Sequence, residues 1–261
     1  MVRAPPGVKR VNATPEQNAE TQNALMGGRV RLIQPVRGYR AGMDAALLAA
    51  AVPAAPGERV IEAGCGAGAV LIQIAARRPG VMLTGLERDA AMAGLTRRNA
   101  ALNGVSDRVA AHEGEVAAGF RALGLPPFDW AISNPPFFDD AGALRAPAPD
   151  KRGAWMADDG LSAWTTFLLK AVREGGRIVM IHRADRLADI LAAPARGAGS
   201  FAVRPVHAHA DEPAKRVLVS AVKTGKAPLR LLPPLVLHDR AGAKHTAEAE
   251  AILRGEAEIG W

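Results

Sequence analysis

The sequence predicts an α/β fold, a doubly wound, mostly parallel seven-stranded sheet with helices on both faces. Three observations predict it. Short apolar runs alternate with longer helical runs from Arg59 to about Ala193, the signature of repeated strand–helix units. A glycine-dense turn, Gly64 to Gly68, falls between the first of these strands and its helix. Two further strand-like runs close the series with no helix between them, which predicts one antiparallel strand added to a parallel sheet.

The elements follow in order. Residues 1–23 are polar and contain prolines, and are expected to form a mobile arm. The alternating run RVRLIQP, after Gly27 and Gly28, reads as a short strand. Asp44 is placed to cap a helix that runs to Val52 and stops at Pro53 and Pro56. RVIEAG is a strand, AVLIQIAARR a helix, VMLTGLE a strand, and DAAMAGLTRRNAALNG a helix ending at Asn103-Gly104. RVAAHEG and FDWAISNPP supply the third and fourth strands. LSAWTTFLLKAVREGG is expected to be a helix with a glycine stop, RIVMIH the fifth strand, and Arg183 to about Ala193 a helix. AVRPVHAHA and RVLVSAVK are the last two strands. One domain, 24–261, is expected, with a small N-terminal lid at 24–56 and a C-terminal extension at 225–261. Residues 138–160 are a long irregular stretch of the kind that is usually functional or disordered.

Composition narrows the class. The chain has 261 residues, 49% of them hydrophobic, enough to bury a large core. One cysteine, Cys65, excludes a disulfide framework and argues against a cysteine-rich zinc site. No run has the length of a membrane span, and the first residues lack a signal-peptide core; a cytoplasmic protein is expected. The net charge of +7 suits a polyanionic partner such as RNA or DNA, and equally an arginine-rich proteome.

The first chemical signal is Glu62-Ala63-Gly64-Cys65-Gly66-Ala67-Gly68, paired with Glu87 at the end of the next strand. Glycines let the backbone approach a ligand closely. A carboxylate at Glu87 can accept hydrogen bonds from both hydroxyls of a ribose. A dinucleotide would need the spacing G-x-G-x-x-G and a helix N-terminus free for its pyrophosphate. Here the spacing is G-x-G-x-G, and Glu62 would repel a pyrophosphate but tolerate a cation. S-adenosylmethionine is the cofactor expected in this Rossmann-like turn. Glu115, past the third strand, is a further candidate, for the adenine amino group. Cys65 is read as a small residue chosen for fit.

The second signal is Ser133-Asn134-Pro135-Pro136-Phe137, directly after the fourth strand. Ligands of open α/β sheets bind beyond the carboxyl ends of the strands, so this motif and the glycine turn should face one pocket. An exocyclic amino group is a poor nucleophile because its lone pair is delocalised into the ring. The Asn134 side-chain oxygen and the Pro135 carbonyl can each accept one N–H, turning the lone pair toward the methyl group. The prolines stiffen the turn, and Phe137 offers a flat face on which a base can stack.

These motifs together make the chain resemble class I amino-methyltransferases with an Asn-Pro-Pro-aromatic motif. It is most similar to the bacterial tRNA adenine-N6 methyltransferases that modify a valine tRNA beside its anticodon. The resemblance runs from about Leu25 to Arg254 and rests on LMGGRVRLIQPVRGYRAGMDAALLAA, VIEAGCGAG, NPPFF, HRADRLADIL and KRVLVSAVKTGKAPLRLLPPLVLH. It implies that the segment Gln34 to Asp44 covers the cofactor pocket, with Tyr39, Arg40 and Asp44 as contacts. Phe137 stands where adenine-directed members often carry tyrosine, so guanine N2 of ribosomal RNA remains an alternative. Glutamine N5 of a release factor presents the same N–H geometry and is another. The substrate expected first is a structured RNA, a tRNA. The loop residues Arg145, Lys151, Arg152 and Trp155, and His182-Arg183 with Arg186, are secondary candidates for RNA contact. His207 and His209 read as a polar strand face, and no metal site is expected.

Overall fold

The computed structural model describes residues 19–37, 40–136, 159–192, 197–240 and 242–261. Eleven strands are formed among them: β1 (Glu20–Leu25), β2 (Val30–Pro35), β3 (Arg59–Ala63), β4 (Met82–Glu87), β5 (Val109–Glu113), β6 (Phe128–Ser133), β7 (Val172–Arg183), β8 (Ala198–His207), β9 (Ala214–Lys223), β10 (Arg230–Leu231) and β11 (Leu235–Val236). The helices are α1 (Met43–Ala50), α2 (Ala69–Arg77), α3 (Ala90–Leu102), α4 (Asp159–Ala171), α5 (Leu187–Ala192) and α6 (Ala247–Arg254).

The expected sheet is present. Its seven main strands run β8-β9-β7-β6-β3-β4-β5. The pairs among β5, β4, β3, β6 and β7 are all parallel, and β9 runs antiparallel between β7 and β8. The short strands β10 and β11 of the C-terminal extension add to β8 and bring the sheet to nine. The central strands are buried on both faces, as in β3, where Val60, Ile61, Glu62 and Ala63 are all buried. That is the pattern of a parallel sheet covered by helices on both sides. No helix among the described residues is long and apolar enough to cross a membrane.

Four local expectations need correction. Residues 20–23, assigned to the arm, belong to β1, which pairs with β2 from Glu20–Pro35 to Leu25–Val30. This hairpin is fastened to α3 by Asn99 and Asn103, whose side chains bond the backbones of Ile33 and Arg31. Asp44 does not cap α1. The N-cap is Gly42, and Asp44 sits in the first turn. VREGG does not extend α4: the helix stops at Ala171, and Val172 pairs with Phe128 on β6. Gly175, at φ 73°, turns the chain within β7 as glycine readily does. Finally, Arg183 ends β7, and the following helix begins only at Leu187, after a 3-10 turn at Ala184–Arg186.

The segment 24–56, expected as a lid, contains a core helix. Ala45 to Val52 are all buried in α1 and its end, and α1 packs against α2 and α6. The last residues close over it. Ile259 donates its N–H to Ala50, and the Trp261 indole donates to the Ala51 carbonyl at 2.8 Å. Arg77, at the end of α2, holds this segment by donating to the carbonyls of Ile252 and Ala257. Burial, with Arg29 nearby, lowers its guanidinium pKa. Replacing Arg77 by Met keeps the packing stem but leaves both carbonyls without their charged donor. The expected cost is about 2 kcal/mol, read as a lower urea midpoint.

Candidate active site at the carboxyl edge of the sheet

Sheet register brings the two sequence motifs side by side. Ala63 on β3 is directly paired with Ser133 on β6 and with Leu86 on β4. Gly64, Asn134 and Glu87 therefore leave three neighbouring strands at the same level, each pair of strands about 4.8 Å apart. Glu87 is in turn paired with Glu113 on β5, so the run toward Glu115 starts at that edge too. Ser133 is fully buried and fastens β6 to β3 by donating its hydroxyl to the Ala63 carbonyl at 2.9 Å.

The glycine turn is held from three sides. Gly64 and Cys65 donate to the Leu86 carbonyl. Glu87 accepts the Gly66 N–H on one carboxylate oxygen and the Asp89 N–H on the other, both at 3.0 Å. From α3, the Thr96 hydroxyl donates to the Gly66 carbonyl at 2.8 Å, and Asn99 donates to the Ala67 carbonyl at 2.9 Å. Gly64, Gly66 and Gly68 have φ values of 70°, 55° and 81°, a region that favours glycine. A Cβ on Gly68 would also lie 2.8 Å from Thr96 Cγ2. Gly68→Ala should therefore cost about 1–3 kcal/mol, visible as a lower Tm of the ligand-free protein.

Glu62 is the least comfortable group at the site. It is 2% exposed, and its Oε2 has no hydrogen-bond partner among the described residues. Burial first, and the nearby Glu87 charge second, push its pKa well above the usual carboxylate range. A buried carboxyl with an unanswered oxygen is a costly arrangement, and a cation entering beside it would relieve both effects. Cys65 is also buried, and burial followed by the Glu62 charge pushes its thiol pKa up. It packs against Gly85, where an added Cβ would lie 2.9 Å from Cys65 Cβ. That fits its reading as a small packing residue.

Asn134 is half-buried and Pro135 buried, directly beyond β6. Phe137, Tyr39 and the loop candidates Arg145, Lys151, Arg152 and Trp155 lie outside the described residues. Arg40 donates to the Asn23 side chain at 3.0 Å, and Gln34 binds both Asn23 and the Ala41 N–H, which fixes this segment against the hairpin. Asp44 accepts from Arg216 on β9 at 3.0 Å. Glu115 is exposed and starts a 3-10 turn at Val116–Ala118. His182 is 3% exposed, and burial, with Arg186 next, lowers its pKa to about 4. Arg183 and Arg186 are paired with Asp185 and Asp189. His207 bonds the Glu212 carbonyl through Nδ1, and no group of metal-binding side chains stands together among the described residues.

Three supporting residues were not singled out from the sequence. Thr96 and Asn99 are polar residues on the buried face of α3, a signal that was legible. Trp164, in α4, reaches the glycine turn from the other face of the sheet; a Cβ on Gly64 would lie 2.9 Å from its Cζ3 and nearer still to Cη2.

Residues 40–146, which contain Glu62, the three glycines, Glu87, Glu115 and the Asn-Pro-Pro motif, match the family model of the methyltransferase small domain. Over residues 40–146 the chain is similar to methyltransferase small domains. A tRNA1(Val) (adenine(37)-N6)-methyltransferase of Yersinia enterocolitica is 36% identical over 112 residues, 42% of this chain and 44% of that protein. A release factor glutamine methyltransferase of Chlorobaculum tepidum is 29% identical over 152 residues, 55% of this chain and 52% of that protein. The chain thus spans about half the length of the curated relatives it matches. Among solved structures, a predicted O-methyltransferase of Agrobacterium tumefaciens is 28% identical with a TM-score of 0.70, covering 83% of this chain and 98% of that one. An S-adenosylmethionine-dependent O-methyltransferase of Thermotoga maritima shares the fold at 16% identity and a TM-score of 0.50, covering 73% and 68%.

The Thermotoga maritima protein is described as S-adenosylmethionine-dependent, and the side chains gathered around the glycine turn of this chain have the chemistry that such a cofactor would need. Its methionine portion is cationic, which would answer the unpartnered oxygen of Glu62. Gly64, Gly66 and Gly68 have no side chains to block its approach, and those of Cys65 and Ala67 between them are buried. Glu87, already at the end of β4, presents the carboxylate that a ribose requires.

Proposed function

We propose that this chain is an S-adenosylmethionine-dependent N-methyltransferase acting on the exocyclic amino group of a base in structured RNA, with adenine N6 of a cytoplasmic tRNA as the first candidate. The observation that carries the reading is the Ala63–Ser133 pairing, which sets Asn134 and Pro135 beside the glycine turn. The relative from Yersinia enterocolitica, whose name states that chemistry, adds support.

S-adenosylmethionine, when bound, supplies an electrophilic methyl group on a sulfonium. Glu62 would answer its positive charge, Glu87 would take the ribose hydroxyls, and Glu115 is proposed to meet the adenine amino group. Arg40, Asp44 and Tyr39 are proposed to border the same pocket. Asn134 and the Pro135 carbonyl accept the two N–H bonds of the target amino group and aim its lone pair. A nitrogen that received this methyl group would carry positive charge, and these two acceptors would stabilise that charge. One proton then leaves to water. Phe137 is proposed to stack on the base. Two acceptors suit an amino group with two N–H bonds; a hydroxyl offers only one.

A glutamine amide presents the same two N–H bonds, and the Chlorobaculum tepidum relative makes that a second reading. Guanine N2 is a third. Incubation with total tRNA, ribosomal RNA and a release factor in parallel, followed by nucleoside and peptide mass spectrometry, separates them. N6-methyladenosine in tRNA is expected. N2-methylguanosine or methylated glutamine alone would reassign the substrate.

A further inference from the structure

Trp164 stands where no motif pointed. It lies in α4, which packs on both β3 and β6, the strands that deliver Glu62 and Asn134. Its six-membered ring closes on Gly64 so tightly that no side chain could occupy position 64. The indole is half-buried rather than sealed in the core, and its ring touches the first glycine of the turn. Glu62, with its unanswered oxygen, is two residues from Gly64 along β3. The ring packs on the face of β3 that carries Ile61 and Ala63, and Glu62 alternates to the opposite face with Val60, so the ring and the carboxyl approach the turn from the two sides of the sheet. Indole is the strongest of the side-chain rings in attracting a cation to its face.

We propose that Trp164 is a positioning residue that forms, with Glu62, the subsite for the sulfonium of the cofactor, and that its ring makes the site favour the charged cofactor over its neutral thioether product. The inference rests on the assignment of S-adenosylmethionine as cofactor. It supplies something the glycine turn cannot, because backbone N–H groups attract anions and have no preference for a sulfonium. It also supplies a reason for product release: once the methyl is gone, the sulfur is neutral and the ring no longer holds it.

The test is binding, not turnover. Affinities of the full chain for S-adenosylmethionine and S-adenosylhomocysteine are measured by calorimetry for wild type, Trp164→Phe and Trp164→Leu, with thermal melts to check folding. Trp164→Leu should weaken S-adenosylmethionine roughly 5- to 30-fold while changing S-adenosylhomocysteine less than about 2-fold. Trp164→Phe, which keeps a weaker ring, should fall between. Equal weakening of both ligands would mean that Trp164 only packs against the turn and would overturn the proposal, as would no change in either. Failure of the wild type to bind either ligand would instead remove the cofactor assignment. Should Trp164→Leu fail to fold, the Phe variant carries the same comparison.

Discussion

Replacing Asn134 by alanine is expected to lower the methyl-transfer rate by about 10²- to 10³-fold while leaving cofactor affinity within about 2-fold of wild type. Asn134 follows directly on β6, whose last residue is anchored to β3 by the Ser133 hydroxyl. The side chain is therefore held by the sheet, and its removal should not move the glycine turn. What disappears is one of two acceptors that counter charge on the reacting nitrogen. That charge is larger in the transition state than in the ground state, so the loss should fall on kcat more than on KM for the nucleic acid. Single-turnover kinetics with calorimetry on the same preparation checks both halves. Wild-type turnover in the variant would remove Asn134 from the mechanism.

Glu62→Gln should have the second-largest effect, and its two consequences have opposite signs. The folded carboxyl keeps its proton to a higher pH than the unfolded one, because burial and Glu87 both disfavour its charge. The stability this group contributes is therefore full below its unfolded pKa, near 4.5, and is lost as pH rises through the raised folded value. Glutamine has no proton to lose, so the ligand-free variant should melt higher than wild type at pH 8 and equally at pH 4. The cofactor should bind the variant roughly 10- to 100-fold more weakly, the loss of a charge-assisted contact. Because a cation draws the proton off Glu62, wild-type binding should also release protons and tighten with rising pH. Calorimetry in two buffers of different ionisation enthalpy reads that release directly. Proton-neutral binding by the wild type, matched to that of the variant, would contradict the role of Glu62.

Much of this site was legible in the sequence because a strand–turn–helix unit fixes where its ends go. Once RVIEAG and FDWAIS read as strands of one parallel sheet, Glu62, the glycines, Glu87 and Asn134 had to meet at its carboxyl edge, and the register Ala63–Ser133 brings them together. What escaped depends on contacts between distant parts of the chain. Asp44 reads as a cap from its neighbours alone, yet its partner is Arg216 on β9. Trp164 looks like one more apolar residue of a helix until α4 is laid across β3. β1 is polar, ETQNAL, and becomes a strand through pairing with β2 rather than through its own pattern. VREGG continues a helical run in composition, but pairing of Val172 with Phe128 wins over helix propensity.

The most direct test of the whole account is the element that receives the methyl group. S-adenosylmethionine carrying a deuterated methyl is incubated with the protein and total tRNA, and the digested nucleosides are resolved by tandem mass spectrometry. The account predicts label on a base nitrogen, at adenine N6, and its loss with Asn134→Ala. Label on a ribose or other oxygen, untouched by that substitution, would contradict it.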